Sequence, residues 1–449
     1  MDTDTVRAQA ADEAVALRRE QRGWYFYDWA CSVYSTSVLT VFLGPYLTSV
    51  ARSAADADGF VHPLGVPVRA GSFFAYSVSL SVILAVLVMP LVGSAADRSG
   101  RKKPLLGAAA YTGAAATTGM FFLDGDRYLL GGLLLIVANA AQSVAMMLYN
   151  SYLPQIAPPE ERDAVSSRGW AFGYAAGSLV LVADLVLYSA HGSFGLSETA
   201  AVRVCLAAAG LWWGAFTLVP LRRLRDRRAR AVAGATAPGL RQLAATVRDM
   251  RRHPLTLAFL LAYLVYNDGI QTVISQASVY GSQELGLGQS TLIVAVLLVQ
   301  VLAVGGALAM GRLARTYGAQ RTVLGSLVAW TVTLGAGYFL PAGAPLGFFV
   351  LAGAIGLVLG GSQALSRSLF SHLVPPGKEA EYFSAYEMSD RGMSWLGPLL
   401  FGITYQLTGS YRSAIISLVT FFAIGFVLLA RVPVRRAVSE AGNPVPEKI

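Results

Sequence analysis

Long apolar runs of roughly 20 residues recur from one end of the chain to the other, and this feature limits the possible folds most strongly. A helix of about 20 residues crosses a hydrocarbon core about 30 Å thick. The runs show no alternation with a period of two residues, which argues against an outer-membrane β-barrel. The sequence therefore predicts an all-α integral membrane protein.

The composition agrees with a membrane location. Of the 449 residues, 55% are hydrophobic and 14% are charged, whereas soluble domains carry about 25% charged residues. The mean hydropathy of +0.53 excludes a globular domain with a water-facing surface. Cys31 and Cys205 both lie inside apolar runs, so we expect buried apolar filler and no disulfide framework. Residues 1–22 lack an apolar core, so no signal peptide is expected.

The apolar runs number twelve, and several begin or end at a proline or a glycine, as helix ends commonly do. Boundaries read from a sequence are accurate to a few residues. We predict twelve transmembrane helices at approximately 24–48, 71–93, 104–123, 128–150, 168–190, 200–220, 256–280, 290–310, 322–341, 345–366, 382–407 and 412–432.

Positive charge is divided unevenly between the predicted loops. With the N-terminus in the cytoplasm, 30 of the 35 Lys and Arg residues fall on the inside and five in outside loops. Cytoplasmic loops of membrane proteins carry such an excess. The bias predicts a cell-membrane protein, embedded in the lipid bilayer, with both termini in the cytoplasm. Because the charges lie at helix ends and not on one face, we expect no nucleic-acid partner.

A charged loop occurs twice in the sequence. The first charged loop, "GSAADRSGRKKPLL" (Gly93–Leu106), follows the second predicted span. The second charged loop, "GRLARTYGAQRTVL" (Gly311–Leu324), follows the eighth span with the same glycine spacing and the same basic end. Equivalent loops at equivalent places predict two homologous halves of six helices each.

Other landmarks support the duplication. Asp28 aligns with Asp268 at an offset of 240 residues, whereas the two charged loops align at an offset of 218. One insertion, the first outside loop at residues 51–71, accounts for the difference. The predicted segments are a cytoplasmic N-terminal segment at 1–23, a six-helix bundle at 24–220, a basic cytoplasmic linker at 221–254, a second six-helix bundle at 255–433 and a cytoplasmic tail at 434–449.

Duplicated six-helix halves in parallel orientation are the plan of a major facilitator transporter. The stretch "GSAADRSGRKKPL" resembles the loop signature of that superfamily, Gly-x-x-x-Asp-Arg-x-Gly-Arg-Lys/Arg. "YDWACSVYST" (from Tyr27), "YNDGIQTVI" (from Tyr266) and "EYFSAYEMSDRGMSWLGP" (from Glu381) resemble the unknown-major-facilitator subfamily, which includes the vacuolar amino-acid effluxer of the autophagy pathway. The resemblance implies a permease. Cys31 stands where that pattern has Asn, so any role of the amide is missing here.

In that superfamily the signature loop acts as a cytoplasmic latch that helps to hold the outward-open state. The resemblance gives this role to five residues here: Gly93, Asp97, Arg98, Gly100 and Arg101. Glycines permit close helix approach and a sharp turn, and Asp97 can pair with Arg101 or face a helix N-terminus. The second charged loop has Arg315 in place of the aspartate, so we expect an asymmetric latch. A pure topology signal is the alternative.

Three carboxylates lie within predicted spans, where charges are costly and commonly functional. Asp28 is about one turn into the first span, beside rings that read as an interfacial aromatic belt (Trp24 to Trp29), so it is either a rim group or a substrate or proton site. Asp268 lies near the middle of the seventh span, before Gly269, where a broken helix would open it to a cavity. Asp184, in the fifth span, can carry a proton or reach the outer interface.

Uncharged polar residues complete the set of candidates for binding solute or proton: Tyr266, Asn267, Asn139, Gln142 and Gln363. The asparagine and glutamine side chains can bind a polar solute or form hydrogen bonds between helices. In the eleventh span, Glu387 and Arg391 are four residues apart and Asp390 adjoins them. Residues at this spacing share a helix face, so they form either a gate or a static ion pair.

These features predict a secondary active transporter that moves a small polar solute by alternating access. Protons are the expected coupling ion, because buried carboxylates can load and release them. By resemblance, an amino acid is the leading solute. The sequence leaves export, import and facilitated diffusion open. No enzyme activity, metal or cofactor is expected, since no nucleotide-binding loop occurs and the histidines are scattered. A sugar or drug permease, or a membrane receptor or scaffold without transport, are the alternatives.

Overall fold

The computed structural model describes residues 3–99, 101–157, 162–226, 251–374, 386 and 395–443. Helices make up most of these residues. Those before the basic linker are α1 (Thr3–Val33), α2 (Leu43–Ser53), α3 (Phe73–Ser99), α4 (Lys102–Gly119), α5 (Tyr128–Asn150), α6 (Leu153–Ile156), α7 (Arg162–Ser189) and α8 (Glu198–Arg223).

The helices after the linker follow the same plan. They are α9 (Pro254–Val279), α10 (Gln289–Tyr317), α11 (Ala319–Tyr338), α12 (Pro345–His372), α13 (Leu396–Thr408), α14 (Tyr411–Ser417), α15 (Val419–Ala430) and α16 (Val434–Glu440). The described β-structure is one small hairpin, in which β1 (Phe60–Val61) pairs antiparallel with β2 (Val68–Arg69).

Each predicted span overlaps a described helix, so the prediction of an all-helical chain is confirmed. In the described part of the chain, eight helical segments are long and apolar enough to cross a membrane, and a further apolar stretch, Gln289–Ala303, is shorter. The count of twelve crossings is therefore not confirmed and stays a prediction. The chain is a multi-pass membrane protein.

The first span is not a uniform α-helix, which the sequence did not indicate. A π-helical segment, Tyr34–Phe42, joins α1 to α2, and a second one, Tyr280–Glu284, follows α9. The wider π-helical turn is uncommon and occurs often at functional sites. The two segments follow the paired residues Asp28 and Asp268, in the first and the seventh predicted span.

The chain divides into two compact units. The first consists of Met1–Val38, Leu87–Phe122 and Leu134–Gly239, and the second of Leu39–Val86, Leu123–Leu133 and Leu240–Ile449. The units group residues by contact and cut through several helices, so the predicted domain boundaries stay a prediction. In the first unit, α1 packs against α7 and α8, and α4 also packs against α8.

In the second unit, α10 and α12 form the most extensive helix pair. Gly356 and Gly360 are four residues apart on α12, a spacing that lets two membrane helices approach closely. A Cβ atom at Gly360 would overlap the backbone carbonyl oxygen of Ala303 on α10. Contact between the two backbones, which needs glycine at this position, therefore holds the pair together.

The first outside loop is folded onto helices of the second unit. The Asp56 carboxylate accepts hydrogen bonds from the backbone N–H groups of Asp58 (3.0 Å) and Phe60 (2.8 Å). The backbone N–H of Arg69 donates to Gln406 Oε1 on α13 at 2.9 Å. The inserted loop is thus an ordered hairpin attached to the eleventh predicted span.

We predict that Gly360→Ala lowers the midpoint of thermal unfolding of the purified protein in detergent. Forcing an extra carbon into a packed interface costs about 1–3 kcal/mol. The matched control is Gly325→Ala on α11, where a Cβ atom would meet no atom within 4 Å. An equal loss of stability in both variants would contradict the close packing of α10 on α12.

Candidate functional site

Asp28 lies on α1 and is buried, with 8% of its surface exposed. The Tyr149 hydroxyl on α5 donates a hydrogen bond to Asp28 Oδ2 at 2.6 Å. The Trp24 ring stacks on Tyr149 at 4.3 Å, and its Nε1 donates to the Tyr149 carbonyl at 3.0 Å. Among the described residues, no Lys or Arg side chain lies within 4.0 Å of Asp28. A neutral hydroxyl therefore satisfies this carboxylate.

The aromatic side chains around Asp28 do not form the interfacial belt that the sequence suggested. Trp24, Tyr25 and Tyr27 are only 2%, 6% and 0% exposed. They pack inside the first unit, where Trp24 contacts Tyr149 on α5 and Tyr25 contacts Phe172 on α7. For these three rings the interfacial interpretation is wrong, because hydropathy alone cannot separate a lipid-facing ring from a core ring; Phe26 and Trp29 are half-buried.

Asp184 lies on α7 and is likewise buried, with 4% exposure. The Ser37 hydroxyl, in the first π-helical segment, donates to Asp184 Oδ2 at 2.5 Å, and the Cys205 thiol on α8 is a second donor. The carboxylate thus binds two uncharged donors from two other segments. Its burial does not fit the alternative that it reaches the outer interface.

Asp268 lies on α9, which runs through Gly269 without a break, so the expected broken helix is not present. The backbone N–H of Gly397, in the first turn of α13, donates to Asp268 Oδ2 at 2.8 Å. A carboxylate at a helix N-terminus is favoured by the partial positive charge there. A Cβ atom at Gly397 would overlap the Thr272 hydroxyl, so only glycine permits this approach.

The uncharged polar candidates make contacts between helices. Gln142 Nε2 on α5 donates to Ser35 Oγ at 2.6 Å, and the Tyr266 hydroxyl is 2.5 Å from Ser366 Oγ on α12. The remaining members of the set are buried or half-buried: Asn139, Asn267 and Gln363. For Gln142 and Tyr266, the contacts agree with a role in helix packing.

The structure divides the predicted solute and proton residues into two groups. The first unit contains Asp28, Asn139, Gln142 and Asp184, and the second contains Tyr266, Asn267, Asp268 and Gln363. The first group thus has two carboxylates and the second has one, each accompanied by neutral polar side chains. In the described part of the chain, no group of three or more His, Cys, Asp or Glu side chains is placed to hold a metal ion.

The predicted latch is described only in part. The turn lies between the end of α3 at Ser99 and the start of α4 at Lys102, and Arg101 in it is exposed. A Cβ atom at Gly93 would make ordinary contacts of 3.6 Å with Met147, so close helix approach does not require glycine there. The side chains of Asp97 and Arg98, and the residues Gly100, Glu387, Asp390 and Arg391, lie outside the described part.

Asp226 is a residue of this region that the sequence interpretation missed. Its Oδ1 accepts the backbone N–H of Lys103 at 2.8 Å and the Tyr152 hydroxyl at 2.9 Å. It thereby satisfies a free N–H in the first turn of α4, directly after the first charged loop. The available signal was a single acidic residue within the basic run "LRRLRDRRAR", which begins in the last turn of α8.

Comparison with known proteins identifies the family. The Atg22-like vacuole effluxers match residues 16–442, which is nearly the whole chain. The chain belongs to this family. An MFS-type transporter of Bacillus subtilis, YxiO, is 30% identical over 434 residues and aligns over 95% of this chain and 98% of its own. Autophagy-related protein 22-1 of Aspergillus niger is 25% identical and aligns over 96% of this chain and 91% of its own.

Solved structures show the same fold for this Atg22-like chain. The nucleoside transporter NupG superposes with a TM-score of 0.69 at 15% identity, covering 92% of this chain and 99% of its own. A D-xylose–proton symporter gives a TM-score of 0.63 at 13% identity, covering 94% and 97%. The chain is a transporter of the major facilitator superfamily and not an enzyme.

We predict that Tyr149→Phe destabilises the protein, because the variant removes the described hydrogen-bond donor to Asp28 in a buried place. The loss of one partner of a buried polar group costs about 1–3 kcal/mol. Tyr317→Phe, on a residue that is 61% exposed, is the control. Thermal unfolding in detergent measures both. Unchanged stability in Tyr149→Phe would show that the hydroxyl does not hold Asp28.

Proposed function

We propose that the chain is a secondary active transporter that moves a small polar solute by alternating access, coupled to protons. The observation that carries the proposal is that three buried carboxylates, Asp28, Asp184 and Asp268, accept hydrogen bonds from neutral donors on other segments. The proposed architecture is twelve spans in two six-helix halves in the cell membrane, with both termini in the cytoplasm.

The type of donor explains why Asp28 and Asp184 suit proton coupling, since a hydroxyl holds the first and a hydroxyl and a thiol hold the second. A buried carboxylate paired with Lys or Arg would leave an unpaired cation when it bound a proton, at a high cost. A hydroxyl or a thiol tolerates either form of the acid. Proton binding then removes a charge from an apolar surrounding and also weakens the contact between two helices.

An amino acid is the first candidate for the solute. The family description is that of a vacuole effluxer, and two structural neighbours carry nucleosides and D-xylose, which are polar solutes of similar size. Buried amide side chains, Asn139, Gln142 and Asn267, offer donors and acceptors to such a solute. A sugar or drug permease of the same fold is the alternative in the same class.

Alternating access requires contacts that form in one state and break in the other. Within the second unit, the Ser72 hydroxyl donates to the Gly402 carbonyl at 3.0 Å, and the Ser79 hydroxyl donates to the Trp395 carbonyl at 3.0 Å. These bonds join the predicted first half to the predicted second half. They belong to a larger set of such bonds in the same unit, which also includes those from Ser278 to the Thr40 carbonyl and from Gln289 to the Val41 carbonyl. In the proposed cycle this set breaks in one state and re-forms in the other.

The direct test is solute uptake into proteoliposomes, with and without a proton gradient, using a panel of amino acids, sugars and nucleosides. Wild type should accumulate at least one solute when the gradient is present. Asp268→Asn should reduce this accumulation at least about tenfold, because an amide cannot carry the proton. Asp126→Asn, in an exposed loop, is the matched control.

Two results would count against the proposal. Accumulation in Asp268→Asn equal to wild type would exclude this carboxylate from coupling. Solute binding without any flux would favour a membrane receptor or scaffold instead of a transporter.

A second test concerns the latch. We predict that Asp97→Asn lowers the transport rate severalfold while the amount of protein in the membrane is unchanged, because an uncharged side chain cannot make the charge contact proposed for this loop. Initial rates and surface labelling measure the two quantities. An unaltered rate would leave the first charged loop as a topology signal only.

A further inference from the structure

A polar cavity of about 370 Å³ lies within the second compact unit, between the first outside loop and α13. We name it the outer cavity. Its charged and polar lining comes from the end of α2, the loop and α13, and consists of Arg52, Asp56, Asp58, Arg69 and Tyr405. None of these residues belongs to the predicted solute or proton site, so the cavity needs a separate explanation.

The two guanidinium groups of the outer cavity lack an acidic partner. Among the described residues, no carboxylate lies within 4.0 Å of Arg52 or Arg69. Elsewhere in the same unit, Arg412 pairs with Glu284 at 2.8 Å. Arg52 lies over the Tyr411 ring at 5.7 Å, and its Nη2 donates to the Tyr405 hydroxyl at 3.3 Å. An aromatic face and a neutral hydroxyl orient this cation without neutralising it.

Arg69 has a different surrounding. Its guanidinium lies over the Phe60 ring at 5.7 Å, next to Gly409, the residue that ends α13. The C-terminus of α13 carries a partial negative charge equivalent to about half an elementary charge, which offsets part of the positive charge of Arg69. The Nε atom of Arg69 is buried and has no hydrogen-bond partner within the described structure. A buried donor without an acceptor is unfavourable, so the site is suited to an anionic oxygen.

The cavity also carries negative charge. Asp56 is fixed by two backbone N–H groups and by His62, whose Nε2 is 2.9 Å from Asp56 Oδ2. The hydrogen bond from His62 holds the pKa of Asp56 below its ordinary value, so this carboxyl stays ionised at neutral pH. The Asp58 side chain is exposed at the same cavity. Charges of both signs are thus present, more than 4.0 Å apart, and do not pair with each other.

We propose that the outer cavity is a binding site for a small zwitterion, which carries one carboxylate and one ammonium group. The carboxylate would bind the guanidinium groups of Arg52 and Arg69, and the ammonium group would face Asp56 and Asp58. Charge-assisted hydrogen bonds of this kind are the strong ones, and the volume is within the range of small-molecule sites. A bound zwitterion would connect the loop to α13 and stabilise their contact.

The test is thermal unfolding of the purified full-length protein in neutral detergent, titrated with L-alanine, propionate or ethylamine at matched ionic strength. L-alanine should raise the unfolding midpoint, whereas the two singly charged analogues should raise it less. Arg69→Gln should weaken the apparent affinity for L-alanine about tenfold or more. Arg203→Gln is the matched control, because Arg203, on α8 and outside the cavity, also lies over a ring, that of Phe121.

Asp58→Asn adds a variant at an exposed position, which is expected to fold. It should reduce the protection by L-alanine and leave the response to propionate unchanged. Equal protection by propionate and L-alanine in wild type, or equal loss of affinity in Arg69→Gln and Arg203→Gln, would overturn the proposal. The readout is binding and not flux, so its failure is distinct from a failure of the proposed transport.

Discussion

A carboxylate buried among apolar helices needs a hydrogen-bonding partner, and in this chain the partner comes from another segment. Tyr149 of α5 holds Asp28 of α1, and the N-terminus of α13 holds Asp268 of α9. Each acid is therefore both a charge and a link between helices. At Asp28 the donor is a neutral hydroxyl, so adding a proton to this acid changes the link without leaving an unpaired cation. This property connects the packing of the transporter to its proposed coupling.

The remaining packing gives these links a fixed frame. Membrane helices have little hydrophobic driving force between them, so they depend on close approach of small residues and on hydrogen bonds. Gly360 brings α12 onto the backbone of α10, and Gly397 brings α13 onto α9 next to Asp268. At Gly397 the close contact and the carboxylate link occur at one point, so a change in one must affect the other.

The sequence predicted the membrane-spanning helices well, since most of them are long apolar runs, but it left open whether Asp28 and Asp184 are buried or lie at an interface. It did not predict their partners, because Tyr149 and Asp28 are 121 residues apart and no local pattern records the contact. The π-helical segment Tyr34–Phe42 was missed because its residues have an ordinary apolar pattern. Trp24 was assigned to the lipid interface, since an aromatic residue near a helix end gives the same sequence signal at the interface and in the protein core.

The proposed alternating access requires the contact between the first outside loop and α13 to open and close as the buried carboxylates change state. Double electron–electron resonance measures the distance between spin labels attached at Val66→Cys and Leu407→Cys, which are both exposed positions. The two native cysteines, Cys31 and Cys205, are first replaced by Ala. We predict two distance populations, whose ratio shifts in Asp268→Asn, a mimic of the protonated acid. One distance that is the same in both proteins would contradict the account.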